Sequence, residues 1–355
     1  MNIERNFKGA KSYLDTRTRL YFSRKRAHSI RDEVIKKKGY EIVTPNMMKS
    51  IKKYSKDRFG STSFWPWLAL YMEVRGEFVP GCIPYDYYRI LLKNELNPDS
   101  VSGIAECKTF DYRLFPDFSV QPLIIRISDN FYDAEMNRMS SEVAINKLLQ
   151  HNKEIVVKED YGLGGSKVNF FKPKDIDINK YKKEVNLIFQ PVIDQHEELS
   201  KLNKTSVNTL RVLTFLNNQG DVELKAAYLR FGSDQSRVDN RSAGGGFCFV
   251  QTDGRLESKA YSSLILEIGS STLHNNVEFS SVAIPNYHQA IEKCKKAHEK
   301  FPYGRLVGWD VAIDKTSKPV LLEWNLNPQI WYVEALKGPL WKGDSYLDEI
   351  ISKAV

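Results

Sequence analysis

Two carboxylates and two amides between positions 309 and 328 are spaced in a way that suits cation binding. The chain reads Trp309-Asp310-Val311-Ala312-Ile313-Asp314, then a polar link Lys315-Thr316-Ser317-Lys318, then Pro319-Val320-Leu321-Leu322-Glu323-Trp324-Asn325-Leu326-Asn327-Pro328. Both flanks alternate with period two and are rich in β-branched and aromatic residues, the pattern of two strands joined as a hairpin. With Lys315 to Lys318 as the loop, Asp314 faces Pro319, and counting back sets Asp310 opposite Glu323. Asn325 and Asn327 share the face of Glu323, because side chains two apart point the same way. Like charges directly opposed on a sheet are unfavourable, so the pair requires a counter-ion. Hard oxygen donors suit Mg²⁺. The alternative is a polar, hydrated sheet face, and a slip of one residue would part the two carboxylates.

A second chemical candidate lies upstream. Residues 154–171 read as strand, glycine-rich loop and strand, with Lys158 at the end of the first strand and Gly162, Gly164, Gly165 and Ser166 in the loop. Glycines let backbone N–H groups approach phosphate oxygens closely, and Lys158 would add a positive charge. Two better-known phosphate loops do not match: GxxxxGK[ST] and GxGxxG both lead into a helix, whereas this loop leads into a strand. The alternative is an ordinary hairpin with a glycine turn.

These residues need a scaffold, and an alternation of strands and helices beginning near residue 104 supplies one. Strands are expected over 121–127, 185–193, 206–216, 222–231 and 247–252, and helices over 134–149, 287–300 and 345–354. The expected apolar side of the 134–149 helix is Met136, Met139, Val143, Ile145, Leu148 and Leu149. The 185–193 strand is interrupted at Gln190-Pro191, since proline removes a backbone donor. Arg211 and Arg230 fall within strands, and Asn240 falls in the loop before 247. Such arginines are more often ion-pair or edge residues than ligand contacts. Upstream, helices are expected over 24–38, stopped by Gly39, and over 46–58 after Pro45. The aromatic stretch 61–103 is either a cleft lined with rings or, more simply, packing between small helices.

Composition bounds the function. The chain has 355 residues, 42% of them hydrophobic and 12% aromatic, enough for a large core. There is no apolar run of about 18 residues and no apolar N-terminal leader region. The scattered cysteines Cys82, Cys107, Cys248 and Cys294 form no CxxC, and the six histidines form no HExxH pattern. A reduced, cytoplasmic protein without a His- or Cys-based metal centre is therefore expected. The net charge is +8, with 17 Lys+Arg against 6 Asp+Glu in residues 1–60, so that segment carries +11 and the remainder −3. The basic segment suits an anionic partner (an acidic glycan, a diphosphate-linked lipid, a membrane surface or nucleic acid) or is a solvated helix surface.

Together these parts resemble the ATP-grasp superfamily, over roughly residues 104–345. The order is the family's: a lysine strand and glycine-rich loop (Lys158 to Ser166), an apolar hinge strand (Ile188 to Ile193), and an Asp followed by Glu-x-Asn (Asp310, Glu323, Asn325). Gln190 to His196, Val207 to Thr214, Val238-Asp239-Asn240 with Gly244-Gly245, and Gly308 to Ala312 are similar to the sugar-transfer-associated group linked to polysaccharide biosynthesis. The resemblance implies an α+β fold of two subdomains gripping ATP, behind a basic, mainly helical N-terminal region. The implied boundaries are 1–103 for that region, 104–193 for the small subdomain and 194–355 for the large one. It implies ATP and Mg²⁺ as cofactors. By family pattern, Lys108 and Lys158 hold phosphates, and Gly162, Gly164, Gly165 and Ser166 cover them. Gln190 and Val192 face adenine, although many members have Glu where this chain has Gln190. Asp194 or His196 reaches the ribose, and Asp310, Glu323 and Asn325 hold Mg²⁺. Arg211, Arg230 and Asn240 lie near the transferred phosphoryl group.

The activity implied is a carboxylate–amine ligase that works through an acyl phosphate in surface polysaccharide (capsule) biosynthesis. It would join an amine such as an amino acid to a carboxylate such as a uronic acid or carrier-linked glycan, with peripheral contact to membrane-linked glycan intermediates and no nucleic acid partner. Two other readings stay open: a kinase of the same fold acting on a sugar hydroxyl, and a non-catalytic protein that binds anionic polymer.

Overall fold

The computed structural model describes residues 2–161, 167–232, 245–272 and 276–354, except for the side chains of 2–15 and 354. The glycine-loop residues Gly162, Gly164, Gly165 and Ser166, together with Asn240, lie outside the described residues.

The fold is α+β, with two antiparallel sheets. The smaller sheet consists of β1 (Ile124–Ile127), β2 (Asn130–Tyr132), β3 (Arg138–Met139), β4 (Ile155–Glu159), β5 (Val168–Phe171) and β6 (Leu187–Pro191), in the order β3-β2-β1-β6-β4-β5. The larger sheet consists of β7 (Thr209–Leu216), β8 (Val222–Phe231), β9 (Gly246–Val250), β10 (Leu256–Ser262), β11 (Glu267–Gly269), β12 (Leu306–Ile313) and β13 (Pro319–Asn325), in the order β11-β10-β9-β8-β7-β12-β13. The 222–231 strand and the 287–300 helix fall where the sequence puts them. β2, β3, β10 and β11 were not foreseen: β2, β3 and β11 are two or three residues long, and β10 carries little apolar alternation.

Three long helices, followed by several short ones, precede the sheets: α1 (Asn2–Lys38), α2 (Pro45–Phe59) and α3 (Trp65–Arg75). Gly39 ends α1 at φ 79, a backbone shape that costs glycine little. Thr44 caps α2 by accepting from the Met47 N–H, with Pro45 in the first turn. The aromatic stretch resolves as packing: Trp67, Tyr87 and Tyr88 are fully buried. One helix is shorter than expected. It spans Ser141–Leu149 (α4), because the chain upstream pairs as β3 and only then turns at Ser140, whose side chain caps Val143. Its buried residues are Ala144 and Leu148, while Val143, Ile145 and Leu149 face outward.

The larger sheet is covered on both faces. On one face Val212, Leu229, Trp309, Val311 and Trp324 pack against Ala290, Ile291 and Cys294 of α5 (Tyr287–Lys300). On the other, Leu213, Phe215, Tyr228, Phe247 and Phe249 share one core with α1, α2, α3 and the segment 330–351. The N-terminal helices thus roof this second face, and it is also the face of Arg211 and Asp310. The smaller sheet has its own core of Ile124, Phe131, Val157, Leu187 and Phe189 with α4. No helix among the described residues is long and apolar enough to cross a membrane.

Candidate active site

Asp310 and Glu323 are cross-strand partners, as the sequence suggests, but by a different route. Next to the turn, Ile313 pairs with Pro319, Ala312 with Val320 and Val311 with Leu321, so Asp314 belongs to the turn and does not face Pro319. The register then shifts, Leu322 is left without a partner, and Asp310 meets Glu323. A β-bulge restores the pairing that a one-residue change of turn would have broken. It also frees the Leu322 carbonyl, which accepts from Lys158 Nζ at 3.2 Å.

The same rung crosses the sheet. Glu323 on β13, Asp310 on β12, Arg211 on β7 and Tyr228 on β8 stand in register, with Arg230 two residues beyond Tyr228. Arg211 clamps Asp310 in a fork, Nε to Oδ1 at 2.5 Å and Nη2 to Oδ2 at 2.8 Å. Arg230 Nη1 approaches the same carboxylate at 3.3 Å. Lys108 Nζ lies 2.7 Å from Glu323 Oε1. The opposed carboxylates do have counter-ions, and among the described residues these are two arginines and a lysine. Burial raises the Asp310 pKa, but Arg211 and then Arg230 outweigh it and hold the carboxyl at about 2.

Lys108 is placed by a clasp that no periodic pattern reveals. Asp160, just past β4, accepts from the Thr109 N–H at 2.9 Å, Thr109 Oγ1 at 2.8 Å and Asn186 Nδ2 at 3.1 Å. The Tyr161 N–H donates to the Glu106 carbonyl at 2.8 Å. The 106–109 loop is thereby fixed to the end of the strand that carries Lys158. Asp111 joins the cluster from a short helix, Asp111–Leu114, and accepts from Trp324 Nε1 at 2.7 Å. Burial pushes the Asp111 carboxyl up to about 7, against the pull of Lys108, Trp324 and Lys158. Burial and the nearby Lys108 lower Lys158 to about 8, while Asp111 and Glu323 oppose the shift. Sequence reading missed Asp111, Asp160, Thr109 and Asn186, because all are brought in from loops or element ends.

Asn325 and Asn327 follow Glu323 around a turn in which the Asn327 N–H donates to Asn325 Oδ1 at 2.6 Å. Asn327 Oδ1 is buried without a hydrogen-bond partner among the described residues. A cavity of about 60 Å³ is lined by Ala105, Glu106, Lys108, Glu323, Asn325 and Asn327. No group of three or more His, Cys, Asp or Glu suited to a metal occurs among the described residues. The donor set is instead two carboxylates plus amide oxygens, and a buried amide oxygen with no donor fits a hard cation.

The remaining candidates bond to other partners, although Gln190 lies two residues along β6 from Ile188, the cross-strand partner of Lys158. Gln190 on β6 donates Nε2 to the Val120 carbonyl at 2.7 Å, leaving Oε1 buried with no partner among the described residues. The Val192 N–H donates to the Glu154 carbonyl at 3.3 Å. Asp194 pairs with Lys153 at 2.6 Å and Lys315 at 3.3 Å. His196 caps a short helix, its Nδ1 accepting from the Glu198 N–H at 3.1 Å. The 194–196 segment runs beside the hairpin turn, with His196 N–H to Ile313 O at 2.9 Å. Along an extended strand Ile313 is three residues, or about 10 Å, from Asp310.

The class defined here is an α+β protein whose larger sheet presents carboxylates ringed by cations beside a lysine-bearing hairpin. Residues 178–340, a little under half of the chain, match the family described as sugar-transfer associated ATP-grasp. Among solved structures, the chain is similar to the ATP-grasp ligase PsnB complexed with minimal precursor, at 14% identity and TM-score 0.39, covering 73% of this chain and 63% of that one. It is similar to the D-cycloserine synthetase DcsG at 11% identity and TM-score 0.42, covering 72% and 73%. It is similar to a biotin carboxylase from Campylobacter jejuni at 11% identity and TM-score 0.40, covering 72% and 47%. The chain therefore spans less than two thirds of the PsnB and biotin carboxylase chains. No curated protein matches the sequence.

Proposed function

We propose that this protein is an ATP- and Mg²⁺-dependent carboxylate–amine ligase. The observation that carries the reading is the single rung Arg211–Asp310–Glu323 with Lys108 and Lys158 converging on it. Phosphoryl transfer demands concentrated, preorganised positive charge where the γ-phosphoryl oxygens develop theirs. Lys108 and Lys158 would hold nucleotide phosphates. Gln190 Oε1, fixed as an acceptor by the bond from Nε2 to Val120, offers a partner for the exocyclic amino group of a purine. Val192 would lie beside the base, and Asp194 or His196 near the ribose. The loop with Gly162, Gly164, Gly165 and Ser166 would cover the phosphates.

Glu323, Asn325 and Asp310 would hold Mg²⁺, with Asn327 adding a further oxygen. When bound, the metal neutralises phosphate charge and fixes the in-line geometry. Arg211 and Arg230 orient and stabilise the transferred group, with Asn240 as a further candidate. A substrate carboxylate oxygen attacks the γ-phosphorus and ADP leaves, giving an acyl phosphate. An amine then attacks the acyl carbon, a C–N bond forms, and phosphate leaves as the nitrogen loses a proton. The family description, sugar-transfer associated, supports a glycan-linked substrate; the pairing proposed is a uronic acid or carrier-linked sugar with an amino acid, and the compartment proposed is the cytoplasm.

The test is calorimetric titration of Mg-ATP into the wild type and Glu323→Gln, followed by a phosphate-release screen with carboxylates and amines. Saturable binding that weakens in Glu323→Gln supports the site, and an amide product with ADP and phosphate supports the ligase. Absence of wild-type binding to both ATP and GTP would sink the nucleotide reading. A phosphorylated hydroxyl without amide formation would replace the ligase with a kinase.

A further inference from the structure

We infer that the outer face of α1 docks this protein onto an anionic lipid surface. The inference stands on α1 alone and does not depend on the ligase reading. α1 contains twelve Lys+Arg and four Asp+Glu, a net +8 that equals the formal charge of the whole chain. From Thr16 to Arg31 there are six basic residues and no acidic one. Among the described side chains Arg17, Arg19, Lys25, Arg26, Lys36 and Lys37 are exposed, together with Asp32 and Glu33, whereas Ala27, Ile30 and Val34 pack into the core shared with α3 and Arg31 is buried against Glu73.

The outer face is not simply a wet, charged helix. Tyr21 and Phe22 project from it at 61% and 62% exposure, their rings 5.5 Å apart edge to face. Phe22, Lys25, Ser29, Asp32 and Lys36 recur at intervals of three and four and are exposed, so they share that face, with Asp32 the acid among its cations. Cations flanking exposed aromatic rings on a helix suit the headgroup level of a membrane, where the rings enter the acyl boundary and the charges meet anionic headgroups. A helix of this length, about 55 Å, can lie along such a surface. Pairing with a second copy would set two +8 helices together, which repulsion opposes.

The experiment is vesicle sedimentation of the full chain. One vesicle set is pure phosphatidylcholine, and the other carries roughly one phosphatidylserine in three. Binding only to the anionic set, released by high salt, is the expected result. Lys25→Glu with Lys36→Glu should lower partitioning by roughly 25-fold or more, at about fivefold per cation removed. Tyr21→Ser with Phe22→Ser should also weaken binding while leaving its salt dependence in place. All four positions are exposed, and an unchanged circular dichroism spectrum and melting temperature establish that the variants fold. Equal binding to both vesicle sets, or none to either, overturns the proposal. So does retention on duplex DNA without vesicle binding, or a dimer in light scattering that the Tyr21/Phe22 variant abolishes.

Discussion

Asp310 faces Glu323 because Leu322 is left out of the ladder. The bulge that brings the two carboxylates together also turns a carbonyl toward Lys158. One local irregularity therefore sets both the acidic pair and one of its neighbouring cations.

The fork between Arg211 and Asp310 is buried, so removing one partner leaves charge without compensation. Asp310→Asn should destabilise the protein by about 3–5 kcal/mol, read as a lower urea midpoint with unchanged slope. The pH dependence has a definite sign. The folded carboxyl is held at about 2, below its ordinary value of 3.8. The pair's contribution is therefore complete above that ordinary value and is lost as pH falls toward 2. Asp310→Asn should flatten this acid limb in stability measured between pH 5 and 2.

Asp111 tunes Lys158. The lysine titrates near 8 in part because Asp111 and Glu323 oppose the effects of burial and Lys108. It is charged below that value, so Mg-ATP affinity should fall as pH rises through it. Asp111→Asn keeps an acceptor for Trp324 but removes the negative charge, which should move the loss of affinity to lower pH. A titration series from pH 6 to 9 checks this, and identical midpoints in the two proteins would refute it.

Asp160 positions Lys108 without reaching the carboxylates itself. Asp160→Ala breaks the bonds from Thr109 and Asn186, at a cost of about 1–3 kcal/mol. Because Lys108 would then wander, Mg-ATP affinity should drop while binding stays saturable. Thermal unfolding and calorimetry on the same sample separate the two effects.

Gly308 is where Arg211 passes the neighbouring strand. An added Cβ would lie 2.9 Å from Pro328 Cβ and 3.5 Å from Arg211 Nη1. Gly308→Ala should therefore displace the Asn327-Pro328 turn, costing about 1–3 kcal/mol, and weaken Mg-ATP binding along with stability. A variant with wild-type melting temperature and affinity would show that this contact is loose.

Alternation was enough to reveal the β12–β13 hairpin, because period two reports which residues share a face. The buried side of α5 and the stop at Gly39 were legible for similar local reasons: helical spacing and a left-handed terminal residue. The basic N-terminal helix was visible as charge, although its reach back to Asn2 was not. Register was different. The turn took one residue more than the sequence reading allowed, and the pairing of Asp310 with Glu323 survived only through a compensating bulge. Bulges carry no periodic signature, since they answer to the twist of the sheet and the needs of neighbouring strands. The counter-ions were likewise a tertiary decision. Arg211 and Arg230 could be named from sequence, but their convergence on Asp310 depends on the strand order β8-β7-β12, set by long-range pairing. Lys108, Asp111 and Asp160 gather around β13 through loop closures spanning dozens to hundreds of residues. A single chain's local pattern holds no record of those closures, because the energy that favours them appears only when distant segments have already packed.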